Sequence, residues 1–168
     1  LASCTPCAAG LNSPAGAGAC SASYPVYALV VEYGGGYVRK VDLGTAAVSS
    51  LVGSLGHPVG VAISQLGDFA LVTTTNHRIY KVNMASLTSI AIVGTGTSGS
   101  TDGIGTNALV NNPVDIKISP DATYALFADQ LNHAVRKISL LDFSVTRIAG
   151  TLSSGYTEGI GTAAAFNE

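Results

Sequence analysis

The chain has 168 residues, of which 47% are hydrophobic and only 11% charged, and its formal net charge is -2. Its eight Lys and Arg residues are scattered, which leaves no basic patch for phosphates and argues against a nucleic-acid partner; every apolar run is far shorter than the ~20 residues of a spanning helix, which excludes a helical membrane span. One sizeable domain with an appendage fits the length, and a surface carried by Ser, Thr and Asn rather than by charge fits an all-β extracellular protein.

All three cysteines, Cys4, Cys7 and Cys20, fall in the first twenty residues. A separate module is therefore expected over 1–23, followed by a second unit over 24–168. The Cys4-x-x-Cys7 spacing is also half a zinc knuckle, but no fourth Cys or nearby His completes a tetrahedral set. The segment CTPCAAGLNSPAGAGAC, Cys4 to Cys20, resembles one unit of the ephrin-receptor-like (GCC2/GCC3-type) Cys-rich repeats through its C-x-x-C, Gly10, Ser13 and the Gly16-Ala17-Gly18 turn. It departs from that family at Ala8, Leu11 and Asn12, and at Ser23, where a following unit would carry another Cys. The resemblance implies a disulfide between Cys7 and Cys20, a partner for Cys4 outside the chain, and an oxidising compartment. The chain starts at Leu1 with neither a Met nor a leader, so further sequence is expected upstream.

From Tyr27 onward the sequence repeats itself. Segments beginning at Tyr27, His57 and Asn112 align so that Lys40, Lys81 and Lys137 form one column and Gly53, Gly94 and Gly150 another, each with offsets of 41 and 56. Pro58 matches Pro113, Asn76 matches Asn132, and a one-residue slip is expected near Phe69 and Tyr124. Pro58 to Ser64 alternates with Val59, Val61 and Ile63 on one side, as a strand does. Phe69 to Thr74 and Tyr124 to Ala128 are nearly continuous apolar runs, which predict strands covered on both faces. Arg78 to Asn83 and Val135 to Ser139 follow Asn-His turns, and last strands from Ser89 to Val93 and Val145 to Ala149 end at the column glycine. Each unit thus predicts four short antiparallel strands, except the first, which lacks an inner one.

An inserted motif makes the second offset longer. Thr95 to Asn112 recurs as Thr151 to Glu168, with ten of eighteen positions identical. These segments, marked by Asp102, Gly103 and Gly105 and by Glu158, Gly159 and Gly161, are candidate interaction loops. Asp102 and Glu158 invite a Ca²⁺ reading, although a carboxylate before Gly is more often a turn former. Their Ser and Thr content opens the loops to O-linked sugars, and no N-x-[ST] sequon occurs.

The third unit carries Pro113, Ile116, Ser119-Pro120-Asp121, Ala128-Asp129, Asn132-His133, Val135-Arg136-Lys137-Ile138 and Val145-Thr146-Arg147-Ile148-Ala149-Gly150. With the connecting Glu158-Gly159-Ile160-Gly161 and Ala164 to Phe166, it resembles the NHL repeat. The match weakens in the second unit, where Thr73-Thr74 replace Ala-Asp and a turn bond is expected to be missing, and weakens further in the first. The resemblance implies an all-β fold, a partial β-propeller of four-stranded antiparallel blades, about three of them in this chain, continuing beyond 168 towards a ring of ~4 to 8. WD40 blades are the nearest rival, but the chain has no Trp.

One enzyme on an NHL-type propeller, the peptidyl-hydroxyglycine lyase, uses propeller histidines for zinc. Here His77 and His133 share a turn column after Asn76 and Asn132, and His57 stands alone before Pro58. No catalytic centre, cofactor or metal is therefore expected. The reading is a non-enzymatic extracellular structural protein, a propeller segment of a larger cell-surface or filament-forming molecule. Its expected partners are proteins, including copies of itself paired through open strand edges into a polymer, with glycans besides. The alternative is a peptide- or glycan-binding propeller module, and a propeller enzyme comes third.

Overall fold

The computed structural model describes residues 11–12, 21–22 and 26–167. The expected Cys7–Cys20 disulfide lies outside the described residues. Within that N-terminal region a short ladder joins β1 (Leu11–Asn12) to β2 (Ser21–Ala22).

Three antiparallel meanders follow. The first sheet is β3 (Tyr27–Glu32), β4 (Tyr37–Asp42) and β5 (Val48–Val52), three strands among the described residues. The second is β6 (Pro58–Ile63), β7 (Phe69–Thr74), β8 (Arg78–Asn83) and β9 (Ser89–Val93). The third is β11 (Pro113–Ile118), β12 (Tyr124–Asp129), β13 (Ala134–Ser139) and β14 (Ser144–Ala149), to which β10 (Gly103–Ile104) adds on the outer edge. Four strands were expected there. The fifth comes from the connecting loop, whose Gly103 pairs with Val145 and Ile104 with Ser144. The inner strand β6 packs between β3 and β11, so the three sheets stand side by side as consecutive blades. Among the described residues no helix is long and apolar enough to cross a membrane.

Alternation along β7 divides the interior into two cores. Phe69 and Leu71 enter one with Ile79, Ile116, Phe127 and Ile138. Ala70 and Val72 enter the other with Val38, Leu51, Leu55 and Val82. Successive side chains point to opposite faces of a strand, so a run buried at every position needs a neighbour on each side, and β7 has both. The same was expected of Tyr124 to Ala128, but β12 alternates between half-buried and buried positions. Among the described residues its sheet is covered by the second blade on one face.

The repeat columns recur as geometry. A register irregularity falls between Val38 and Arg39, between Ile79 and Tyr80, and between Val135 and Arg136, the same place in each blade. The turn between the last two strands puts Ala46, Leu87 and Phe143 at a left-handed φ of 58° in all three. The column glycines Gly94 and Gly150 have φ of +83° and +106°, and a Cβ on either would overlap the carbonyl oxygen of His77 or His133. Gly53 shares the column without that left-handed backbone; its Cβ would strike the Tyr37 ring instead. The one-residue slip falls after the second strand rather than near Phe69 and Tyr124. Three residues separate β7 from β8, whereas β3–β4 and β12–β13 have four, the latter wound into a 3-10 turn over Gln130–Asn132. A connecting turn absorbs an extra residue without moving any side chain to the wrong face.

Three turn carboxylates titrate below the usual range. Asp42 is held there by the Thr45 N–H and hydroxyl and the Gly44 N–H, Asp121 by Ser119 and Thr123, and Asp142 by Ser139 and Ser144. With folded values below unfolded ones, their stabilisation is complete above the ordinary carboxylate pKa of about 4 and is lost as pH falls through the depressed folded values. The thermal midpoint is expected to hold from pH 7 to about 5 and to fall below about 4. Asp121→Asn should reduce that acid sensitivity, as measured by melting curves across the range.

Candidate functional site

The lysine column is placed by the pleat. Lys40, Lys81 and Lys137 stand opposite Leu29, Leu71 and Leu126 on the neighbouring strand, so each reaches diagonally to the aromatic residue two positions earlier. The ammonium lies 4.3 Å from the Tyr27 ring centre for Lys40, 4.4 Å from Phe69 for Lys81 and 4.6 Å from Tyr124 for Lys137. A cation held over a ring keeps its charge at the surface with little freedom left to lose, each contact being worth about 0.5–1 kcal/mol where exposed.

Two of these lysines share a cleft of about 570 Å³ between the first and second blades. Tyr27, Lys40, Ser49 and Ser50 line it from one blade, and Phe69, Lys81, Asn83 and Met84 from the other. Burial raises the Tyr27 hydroxyl pKa. The one carboxylate in the lining, Asp68, accepts a hydrogen bond from the Ser64 hydroxyl at 2.5 Å. The cleft therefore offers two fixed cations, neutral hydroxyl and amide groups and an apolar floor. The sequence marked the lysines as repeat positions only; the aromatic at the start of each second strand was the signal of how they are held.

The connecting loop is engaged elsewhere. Asp102 accepts hydrogen bonds from Arg136 Nη2 at 2.8 Å and from the Arg147 N–H at 3.1 Å. Arg136 is 1% exposed; its Nη1 donates to Asp129 at 2.9 Å, and the guanidinium also reaches the carbonyls of Thr101 and Leu109. Asp129, fully buried, accepts the Asn111 N–H at 2.7 Å and Asn132 Nδ2 at 2.8 Å, and Asn132 also donates to the Gly99 carbonyl. Burial pushes the Asp129 carboxyl up, against the pull of those donors. Arg136 together with Asp129 and Asn132 thus ties residues 99 to 111 to the third blade. Asp102 and Gly103, expected in an interaction loop, also join that loop to the third blade, and Arg136 and Asp129 were not singled out as site residues at all. Thr95 is exposed, its carbonyl accepting from Arg78; Thr151, Glu158 and Gly159 are exposed and Gly161 half-buried.

The acid–arginine pair is substituted as a unit along the repeat. Glu32 and Arg39 form it in the first blade at 2.9 Å. In the second, Thr74 and Tyr80 stand in those positions, and the Thr74 hydroxyl binds Asn76 and the Arg78 carbonyl, so the turn keeps a bond without the carboxylate. Pro58 and Pro113 open the inner strands and are buried. His57 stacks on Tyr33 at 4.8 Å, and His77 Nδ1 accepts the Asn112 N–H at 3.1 Å. Both His77 and His133 sit at left-handed turn positions, with φ of 60° and 49°. Among the described residues no group of three or more His, Cys, Asp or Glu is placed to hold a metal ion.

No protein-family model matches the chain, nor does any curated protein. Solved structures do. An auxiliary nutrient binding protein from Bacteroides ovatus ATCC 8483 superposes with a TM-score of 0.71 over 83% of this chain and 38% of that one, at 20% identity. Another, from Bacteroides thetaiotaomicron VPI-5482, gives 0.69 over 84% and 38%, at 21% identity. A chain of the nidogen/laminin complex gives 0.60 over 74% and 44%, at 16% identity. The chain spans less than half the length of each, and likeness at such identities shows the fold alone: antiparallel blades arranged as part of a β-propeller.

Proposed function

We propose that the chain is the non-enzymatic binding segment of an extracellular propeller, and that the cleft between Lys40 and Lys81 receives an acidic peptide. The observation that carries this is the pair of ammonium groups, one from each blade, each fixed over a ring at the same cleft. Carboxylates are the complement of two such cations, and preorganised donors lose little entropy on binding. The naming of two fold neighbours as nutrient binding proteins supports a binding role. The low charge content and the clustered cysteines support a place outside the cell. His57 held in stacking on Tyr33 and His77 in a turn bond to Asn112 support a role without catalysis.

Calorimetry with a short glutamate-rich peptide tests the reading. Binding should weaken by about tenfold or more in Lys81→Ala and again in the Lys40→Ala, Lys81→Ala double variant, and should weaken with added salt. Absence of binding by the native chain, or affinity unchanged in the double variant, overturns it.

A further inference from the structure

We propose that the acidic peptide received by the Lys40 and Lys81 cleft is held as an added strand on the outer edge of β9, antiparallel to it, with its acidic residues C-terminal to the paired segment. The inference rests on the binding role of that cleft and adds how the peptide is gripped. The structure already contains the interaction one blade further on. On the third blade Gly103 and Ile104 pair with Val145 and Ser144, the Arg147 N–H donates to Asp102 at 3.1 Å, and the Phe143 carbonyl accepts the Gly105 N–H at 3.0 Å. The outward-facing backbone groups of β14 and the turn before it are therefore those of Phe143, Val145 and Arg147. The repeat offset of 56 carries these positions onto Leu87, Ser89 and Ala91. Strand alternation agrees: the Thr88 carbonyl accepts the Asn83 N–H and so faces β8, which turns Ser89 and Ala91 outward.

The connector entering a blade decides what lies on its outer edge, and both connectors compared here run between described blades. Residues 94–112 reach the edge of the third blade and return, burying Ala108 and Val110 on the way. Residues 53–57 enter the second blade directly. Their buried Leu55 stands three residues before Pro58, as Val110 does before Pro113, so it takes the Val110 place; nothing in so short a connector matches Ala108 or Gly103 and Ile104. Among the described residues β9 is the last strand of its sheet. Ile90 on it is 59% exposed, and Val52 across the junction is half-buried where its counterpart Val93 is fully buried. From Asn83 to Thr101 the chain carries neither a charged residue nor a Pro, the usual guards of an open edge. Such an edge takes an extended peptide through backbone hydrogen bonds. Charge sets the direction. Pairing as in β10 runs the peptide towards Leu87, which lines the cleft with Lys40 and Lys81, so the residues that follow the strand meet both ammonium groups.

Calorimetry with two end-blocked probes tests this, a Gly-Ile-Gly segment followed by three glutamates and the same segment preceded by them. The first should bind about tenfold or more tightly than the second. N-methylation at its two glycines, whose N–H groups face β9 in this register, should weaken binding by about tenfold or more, whereas N-methylation at the Ile between them should not. Ala91→Pro removes an outward N–H without costing a bond to β8, and should weaken binding in the same way with an unchanged β circular-dichroism spectrum. The methylated probes alter the ligand alone, so they decide the matter whatever the variant does to the fold. Equal binding of the glycine-methylated and unmethylated probes by the native chain overturns the added strand. If binding is then still lost in the Lys40→Ala, Lys81→Ala variant, the cleft stands without the strand; no binding of either probe by the native chain overturns both.

Discussion

Arg136→Ala is expected to lower the unfolding free energy by about 3–5 kcal/mol, the range found when one member of a buried ion pair is removed. The guanidinium is 1% exposed and Asp129 fully buried, so truncation leaves a carboxylate without its cation in the interior and frees the carbonyls of Thr101 and Leu109. Asp129→Ala should be similarly damaging, since it strands the cation and also removes the acceptor of the Asn111 N–H and Asn132. Asp102→Ala should cost far less, about 1 kcal/mol, because its side chain is 48% exposed and water can replace it. Replacing both buried partners with apolar residues, as in Arg136→Met with Asp129→Leu, should recover most of the loss. Urea midpoints of the four variants decide the matter; equal effects of Arg136→Ala and Asp102→Ala would mean that the pair is not desolvated as described.

Gly60→Val is expected to be as disruptive, at about 3 kcal/mol or more, the upper end of overpacking effects. Gly60 lies on β6 where the inner strands of neighbouring blades meet, and any Cβ there would overlap the Val114 carbonyl of β11 and come within 2.6 Å of the Thr73 hydroxyl. Backbone cannot yield as a flexible side chain can, so the second and third blades would have to separate along the seam that buries Ile116 and Phe127. The same change at Val59, half-buried on the same strand, to Ile should be nearly neutral. Differential hydrogen exchange over β6 and β11 would localise the damage; protection unchanged there would refute the close approach.

Much of the fold was legible because a blade is a local object. Its strands are consecutive, period-two patterning and turn residues are short-range signals, and the columns of Lys81, Gly94 and Pro58 announced three copies of one unit. The departures arose where a neighbour decides. β12 was read as doubly covered because its composition resembles that of β7, yet burial depends on which blades flank the sheet. The connecting loop was read as a candidate interaction loop, and its one acid also meets Arg136 across 34 residues of sequence, a pairing that no local pattern marks.

The sequence by itself determined the class of fold, the unit of repetition and the residues that recur at each turn, since all of these follow from hydrogen-bonding and side-chain alternation within about forty residues. Only tertiary structure decided that Lys40 and Lys81 face one cleft, that Gly60 meets Val114, and that Arg136 rather than a surface loop residue organises the third blade. Those relations are created between blades, where distances are set by packing and burial rather than by position along the chain.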